Sequence, residues 1–460
     1  MKNIIVLFLL CILNSLLFYK NCLGINVILF TIPLLMFLYY YLLTNKLIKN
    51  KYGLLFMIPI VVLSIGYSLY SNVLTELNII VIPVLYAFMY VYTIKPQYNF
   101  KDVCNDLVKV LLLPIELIDS FTKDVSDKIN KSIKLSDNNK KRVKSILIII
   151  PIVLVFLLLL VSADMMFKNL FSGLFDLFKN FSLGDLIGRT ILIIILFMYM
   201  GCSLKYLLVK YQDGLKSNSD VKSIDDYTIK LLLTVLNIIY IVFDIIQIRS
   251  LLFHRVATGI NYAEYARSGF FQLMVISIIN LVILLLSKRS KENNYTKYMS
   301  LGMVFLTFII ILSSIFRMYL YESAYGYTVL RLGVYTILFT EIILLIPTII
   351  YIFKTKFNVF KYYLIIMVSV YTFINLFSVD YIIAYNNINR YYHTGKIDLD
   401  YLENYEYDNV KLLKDLHDKT DEIDIKEDLD AYFTIIKNDI DMDNIFEYKL
   451  SKSIAKNILK

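Results

Sequence analysis

The 460-residue sequence has no tryptophan, only seven prolines and 14 glycines, and only 18% charged residues. So little Pro and Gly excludes a collagen-like or low-complexity chain. Sparse charge, with 38 tyrosines and 30 phenylalanines, excludes a chain held open by self-repulsion. Cysteine is scarce too. Cys11, Cys22, Cys104 and Cys202 show neither metal-ligand spacing nor a paired disulfide pattern. The three histidines, His254, His393 and His417, are scattered. No metal site and no cofactor is expected. The sequence also lacks a Gly-rich phosphate loop, a nucleophile elbow and an aspartate-rich phosphate motif.

What it does contain is apolar sequence, 58% of all residues, against about 45–50% in soluble domains. The excess is gathered in long runs. A helix crosses a bilayer with about 20 apolar residues, because lipid tolerates only internally hydrogen-bonded backbone. The runs predict an all-α polytopic membrane bundle of about eleven transmembrane helices. They fall near 4–19, 25–43, 54–70, 77–94, 145–161, 187–208, 227–252, 269–286, 298–320, 328–353 and 361–378. The first is short and has no small-x-small cleavage site after it, so it reads as an uncleaved helix rather than a signal peptide.

Basic residues orient the spans, since Lys and Arg gather on the cytoplasmic side. Lys46, Lys49 and Lys51 follow span two, and residues 95–144 carry eleven basic residues. Lys205 to Lys222, Lys288 to Lys297, and Lys354 to Lys361 follow at every second loop. The loops around 71–76, 162–186, 253–268 and 321–327 have no such excess. The N-terminus is therefore expected in the cytoplasm and the C-terminal tail outside. Residues 380–460 carry net −7 and residues 1–379 net +16, together the +9 of the chain.

The expected organisation is N-terminal spans (1–94), a basic cytoplasmic loop with an amphipathic helix (95–144), the main bundle (145–378) and a small extracytoplasmic helical tail (379–460). The amphipathic stretch runs from Asn99 to Leu135. A Phe-rich face at Phe167, Phe171, Phe175 and Phe178 has helical spacing, and suits the outer interface and packing against the bundle about equally. With no tryptophan, Tyr39 to Tyr41, Tyr90, Tyr92, Tyr319 and Tyr321 supply the interfacial belt. The tail shows helical apolar spacing from about 398, in two to four short helices.

Charged groups inside spans are costly and commonly functional. Spans one to five have almost none, whereas spans seven to ten hold Asp244, Arg317, Arg331 and Glu341. Asn237, Tyr240, Asp244 and Gln247 follow at 3, 4 and 3 along one face of span seven. An unpaired carboxylate at the depth of Asp244 needs water or a cation. Arg317 and Arg331 are the cations on offer, so two acids and two guanidiniums are expected to neutralise each other. The outer loops add His254, Arg255, Glu264, Arg267, Tyr319, Glu322 and Tyr325 to a polar outer-face pocket. A salt-bridge lattice that merely orders these loops explains the same residues equally well. For Glu341 a hydrogen-bonded helix-packing contact is the plainer reading.

Three segments carry a resemblance. ATGINYAEYARSGFFQL, RMYLYESAYGYTVLRL and IAYNNINRYYHTGKIDLDYL resemble, in that order, signature segments of bacterial multi-pass families known as domains of unknown function 4153 and 4173. The likeness covers roughly 227–410. It implies that Glu264, Arg267, Arg317, Tyr319, Tyr325, Arg331 and the tail residues Asn386, Asn389 and Arg390 belong to family motifs. It implies no activity. Three functional classes follow. First comes an envelope sensor or scaffold, then a transporter or lipid translocator, then an enzyme acting on a lipid-linked substrate. The expected partners are the lipid bilayer and an envelope protein or lipid-linked ligand, with no nucleic acid.

Overall fold

A computed structural model describes residues 2–94, 121, 123–125, 183–212, 226–252, 270–288, 293–354, 357–405, 407–440 and 445–460. They are helical, with no strand among the described residues. The helices are α1 (Lys2–Phe18), α2 (Ile25–Thr44), α3 (Met57–Leu69, entered through a 3-10 turn at Lys51–Phe56) and α4 (Val73–Ile94). Then follow α5 (Leu183–Gln212), α6 (Asp226–Leu252), α7 (Phe270–Ser287), α8 (Asn294–Tyr325), α9 (Val329–Phe353) and α10 (Val359–Ile374). The tail forms α11 (Val379–Thr394), α12 (Leu399–Glu403), α13 (Val410–Lys419), α14 (Ile423–Ile440) and α15 (Leu450–Leu459).

Six helical stretches among the described residues are long and apolar enough to cross a membrane: Ile25–Thr44, Lys51–Leu69, Val73–Ile94, Gly188–Lys205, Asn294–Tyr325 and Val329–Phe353. A seventh is counted if α10 and α11, bent by 60° at their junction, form one broken span. The expected run at 145–161, the stretch from Asn99 to Leu135 (apart from Phe121 and Lys123 to Val125) and the Phe-rich face lie outside the described residues.

The last expected run, 361–378, is not one straight helix. α10 stops at Ile374, where Asn375 turns its amide Nδ2 back to the Tyr371 carbonyl (2.9 Å). Ser378 then caps α11 by accepting from the Tyr381 N–H (3.2 Å). A side-chain cap at each end satisfies groups that a continuous helix would satisfy internally.

The chain divides into two compact units. The first comprises Met1–Ser68, Leu77–Ser217 and Asp443–Lys449. Here α1 packs on α2 and α5. The tail segment Asp443–Lys449 reaches the α1–α2 turn: the Cys22 N–H donates to Glu447 Oε1 (2.9 Å) and the Ile25 N–H to the Tyr448 carbonyl (3.1 Å).

The second unit comprises Leu69–Glu76, Asn218–Met442 and Leu450–Lys460. Its bundle is α6 to α10. Thr234 meets Tyr295 (2.7 Å), and Asn237, three residues on, meets the Met299 carbonyl, four residues on (2.8 Å). α6 and α8 therefore run parallel. Asn280 meets Thr307 and Ser287 meets Ser300, so α7 lies antiparallel to α8. Ile229, Leu233, Leu284, Met303, Ile311 and Leu338 fill the interior.

The tail helices have their own core of Val379, Ile383, Leu402, Val410, Leu413, Leu416, Leu429 and Ile440, with Leu74, Val329 and Leu332 packed against it. Leu413 and Leu416 are spaced by three and wholly buried, so α13 turns one stripe inward. Asp408 fastens this module to the start of α4, accepting from the Ser71 N–H (3.0 Å) and from the Ser378 hydroxyl.

Candidate functional site

Two polar constellations stand out in the second unit. The first is the α8–α9 turn. Gly326 closes α8 at φ 85°, a backbone region that L side chains rarely adopt. Space imposes glycine a second time, because a Cβ there would stand 2.6 Å from Asn387 Oδ1. Asn387 holds the turn from α11 by both ends of its amide. Its Oδ1 accepts from the Tyr327 N–H and its Nδ2 donates to the Tyr327 carbonyl, each at 2.9 Å. Arg390, one turn further along α11, donates from Nη2 to the Ala324 carbonyl (2.7 Å) and from Nε to the Ser323 carbonyl (3.3 Å). These are the last carbonyls of α8, which a helix leaves unsatisfied and which favour a cation. Tyr401 accepts from the Val329 N–H (2.9 Å) at the start of α9. The second and third signature segments therefore meet at one place, with the tail module clamping the turn.

Arg331 lies on the bundle side of the same turn. It donates to the Gly326 carbonyl and covers the Tyr321 ring at 4.3 Å, a cation–π distance. Tyr321 in turn packs on Tyr325, with ring centroids 5.0 Å apart. The buried Glu322 accepts from the Tyr335 hydroxyl and feels the Arg331 charge. Burial, and then the charge of Glu322, push the Tyr327 hydroxyl above its usual range, while Arg390 opposes the shift. Tyr319 and Tyr325 are exposed.

The second constellation lies inside the bundle. Asp244 and Glu341 are each 3% exposed. Ser277 on α7 donates to Glu341 Oε2. Beside it, Tyr240 on α6 donates to Asn280 (2.8 Å), and Asn280 donates to Thr307 on α8 (3.0 Å). Asp244 follows one turn after Tyr240 on the same face. The register of α6 against α8 sets it near the level of Thr307. Among the described residues, neither oxygen of Asp244 and no lone pair of Glu341 Oε1 meets a hydrogen-bond partner.

The expected mutual neutralisation of two acids by two guanidiniums does not occur among the described residues. Arg331 serves Glu322 and the Gly326 carbonyl. Glu341 is held by a serine. Arg317 is buried on α8, and Asp244 meets no hydrogen-bond partner among the described residues. The reason is register: helical spacing shows which residues share a face, but neighbouring helices decide which faces meet.

His254, Arg255, Glu264 and Arg267 lie outside the described residues, as does the side chain of Gln247. In the tail, Asn386 bonds within its own helix, Nδ2 donating to the Ile382 carbonyl (2.8 Å). Asn389 is half-buried beside it. Asn387, Asn280, Ser277 and Tyr401 are the contributors that sequence reasoning passed over. Asn387 had a signal. It falls on the face of Ile383, Ala384 and Ile388, where only apolar residues precede it back to Asp380.

No group of three or more metal-ligating side chains occurs among the described residues. A family model described as "Domain of unknown function (DUF4153)" matches residues 57–416. The chain belongs to this family. The match extends well upstream of the 227–410 likeness, into the N-terminal spans, and it is to the first of the two numbered families. No curated relative and no solved structure matches the chain. Family and apolar helices together make the chain a multi-pass membrane protein of DUF4153.

Proposed function

We propose that this DUF4153 protein is a non-enzymatic component of the bacterial cell envelope, a sensor or scaffold whose extracytoplasmic module acts on the bundle through the α8–α9 turn. The observation that carries this reading is the clamp. Asn387 and Arg390 bond four backbone groups of the turn, and Tyr401 a fifth, so a partner pulling on the module pulls on the ends of two bundle helices. The arrangement is one of about eleven spans, with the N-terminus inside and the tail outside. The tail segments support it: they hydrogen-bond to turns without basic excess, at Cys22 to Ile25, at Ser71 and at Ser323 to Val329. The partner is an envelope protein or a lipid-linked ligand.

A translocator is the second reading. It is favoured by Asp244 and Glu341, two buried carboxylates with unsatisfied oxygens inside a bundle, a pattern common where ions or protons move. One experiment separates the two. A deletion strain is profiled for envelope lipids and polymers, then complemented. A sensor or scaffold requires that Arg390→Ala fails to complement while Asp244→Asn and Glu341→Gln succeed. The reverse pattern supports translocation. Complementation by all three would sink both.

A further inference from the structure

The first unit holds a cavity of about 560 Å³ with no charged residue in its lining among the described residues. Its walls, among the described residues, come from α1, α2, α3, α4 and α5, and include Phe30, Leu34, Tyr86, Tyr90 and Met200. Part of its polar lining is engaged, while the buried Tyr90 hydroxyl meets no hydrogen-bond partner among the described residues. Thr31 meets Ser64 (2.9 Å), Ser64 donates to the Ile60 carbonyl (2.7 Å), and Tyr86 donates to the Thr31 carbonyl (3.4 Å). Such walls reward apolar matter and offer little to a polar solute.

The length of the cavity identifies its occupant. On α2 the lining runs from Val27 to Leu38, eleven residues or about 16 Å at the helical rise. That is about half of the roughly 30 Å hydrocarbon core of a bilayer, the depth of one leaflet. The end nearest Val27 is the α1–α2 turn, where Asn14 and Phe18 also line the cavity. A guanidinium waits at that end. Arg189 precedes Leu196, Met200 and Ser203 at spacings of 7, 4 and 3, so it continues the cavity-lining stripe of α5. It donates from Nη1 to the Ser15 carbonyl (3.2 Å) and lies 4.8 Å from the Tyr19 ring centre. Among the described residues its Nε, which is buried, has no partner, and no carboxylate pairs with the guanidinium. Lys20 lies near the same ring, at 5.9 Å.

We propose that this cavity binds one phospholipid, with an acyl chain along α2 and α4 and the headgroup phosphate on Arg189. A guanidinium with an unused donor suits a phosphate oxygen, and the apolar channel below it is as deep as one leaflet's tails.

The test uses the full chain in phosphatidylglycerol vesicles carrying a phosphatidylglycerol probe with a photoactivatable acyl chain. Crosslinks are then mapped by mass spectrometry. They should concentrate on Leu34, Ile82 and Met200 over Met36 and Ile80, which are exposed on the outer faces of α2 and α4. Ala87→Phe, or Leu196→Trp at a less buried wall, fills the cavity and should abolish the first set while keeping the second. Equal labelling of both sets in the unsubstituted protein overturns the site, as does cavity labelling that survives both filling variants. A diacylglycerol probe with the same tail and no phosphate should label the cavity about tenfold less, and Arg189→Gln should erase that difference. Equal labelling by both probes in the unsubstituted protein overturns the headgroup assignment.

Discussion

The helices of the first unit and the bundle of the second spend their polar residues differently. Many hydroxyls return to their own helix in both, Ser277, Ser287 and Thr336 in the second as well as several in the first. Ser64 bonds the Ile60 carbonyl, Ser68 the Ile65 carbonyl and Thr93 the Met89 carbonyl. Thr31 with Ser64 is one link between helices. In the second, side chains reach across: Asn237 to Met299, Tyr240 to Asn280 to Thr307, Ser277 to Glu341, and Thr348 to Tyr363. In lipid no hydrophobic force drives helices together, so packing and such bonds must. The second bundle is pinned in register, as a helix set that transmits a pull from the tail module needs to be. In the first, Asn26, Tyr86 and Arg189 reach backbone carbonyls of neighbouring helices, and a cavity of about 560 Å³ stays open between the helices.

Four substitutions sharpen or break this contrast. The largest effect belongs to the module above the second bundle. Leu413→Ala should cost about 2–5 kcal/mol through its cavity, seen as early protease cleavage of the tail while the bundle stays intact. A tail that resists as before would deny it a core of its own. Next comes Gly326→Ala, at about 1–3 kcal/mol, from the positive φ and the clash with Asn387. The thermal transition in detergent should fall, and Asn387→Ala in the same chain should recover part of the loss by making room for the methyl.

Asn280→Ala removes two bonds between helices and should cost about 1–2 kcal/mol. Thr93→Val in the first unit deletes only a bond to its own helix and should cost less than about 0.5 kcal/mol. Equal costs would erase the contrast.

The smallest effect is a pH dependence in the tail. Burial, and then the charges of Asp428 and Asp400, raise the Glu403 carboxyl. A carboxyl raised in the folded state penalises folding at neutral pH. The penalty fades as pH falls through the folded value and is gone below the unfolded one. The module should therefore gain stability on mild acidification, and Glu403→Gln should flatten that gain. A steeper gain in the variant would reverse the assignment.

Much of the fold is legible in the sequence. Length and apolarity mark the long helices, because lipid permits little else. The α10–α11 break was not legible that way: Phe373, Ile374, Leu376 and Phe377 keep the run apolar across the bend. The Asn375 and Ser378 caps were its local trace. The tail core was read from about 398, yet it starts at Val379. Ile383, Ala384 and Ile388 already show helical spacing there, hidden behind the tyrosines and asparagines between them. For the site, the face of Asn237, Tyr240 and Asp244 was legible from periodicity. The partners were not, because Asn280 and Ser277 come from a helix whose neighbours only tertiary register decides. The clamp is long-range: Arg390 meets Ser323 and Ala324 across more than sixty residues of sequence, and no local pattern pairs them.

The central claim is a module outside the membrane, fastened to the bundle. Its most direct test is a single cysteine at Asp428→Cys, in a chain whose own four thiols are removed by Cys22→Ser, Cys104→Ser, Cys11→Ala and Cys202→Ala. Intact cells are treated with a membrane-impermeant maleimide. The account predicts labelling before lysis, at the level reached after it. Labelling that appears only once the cells are broken would place the module in the cytoplasm and contradict the account.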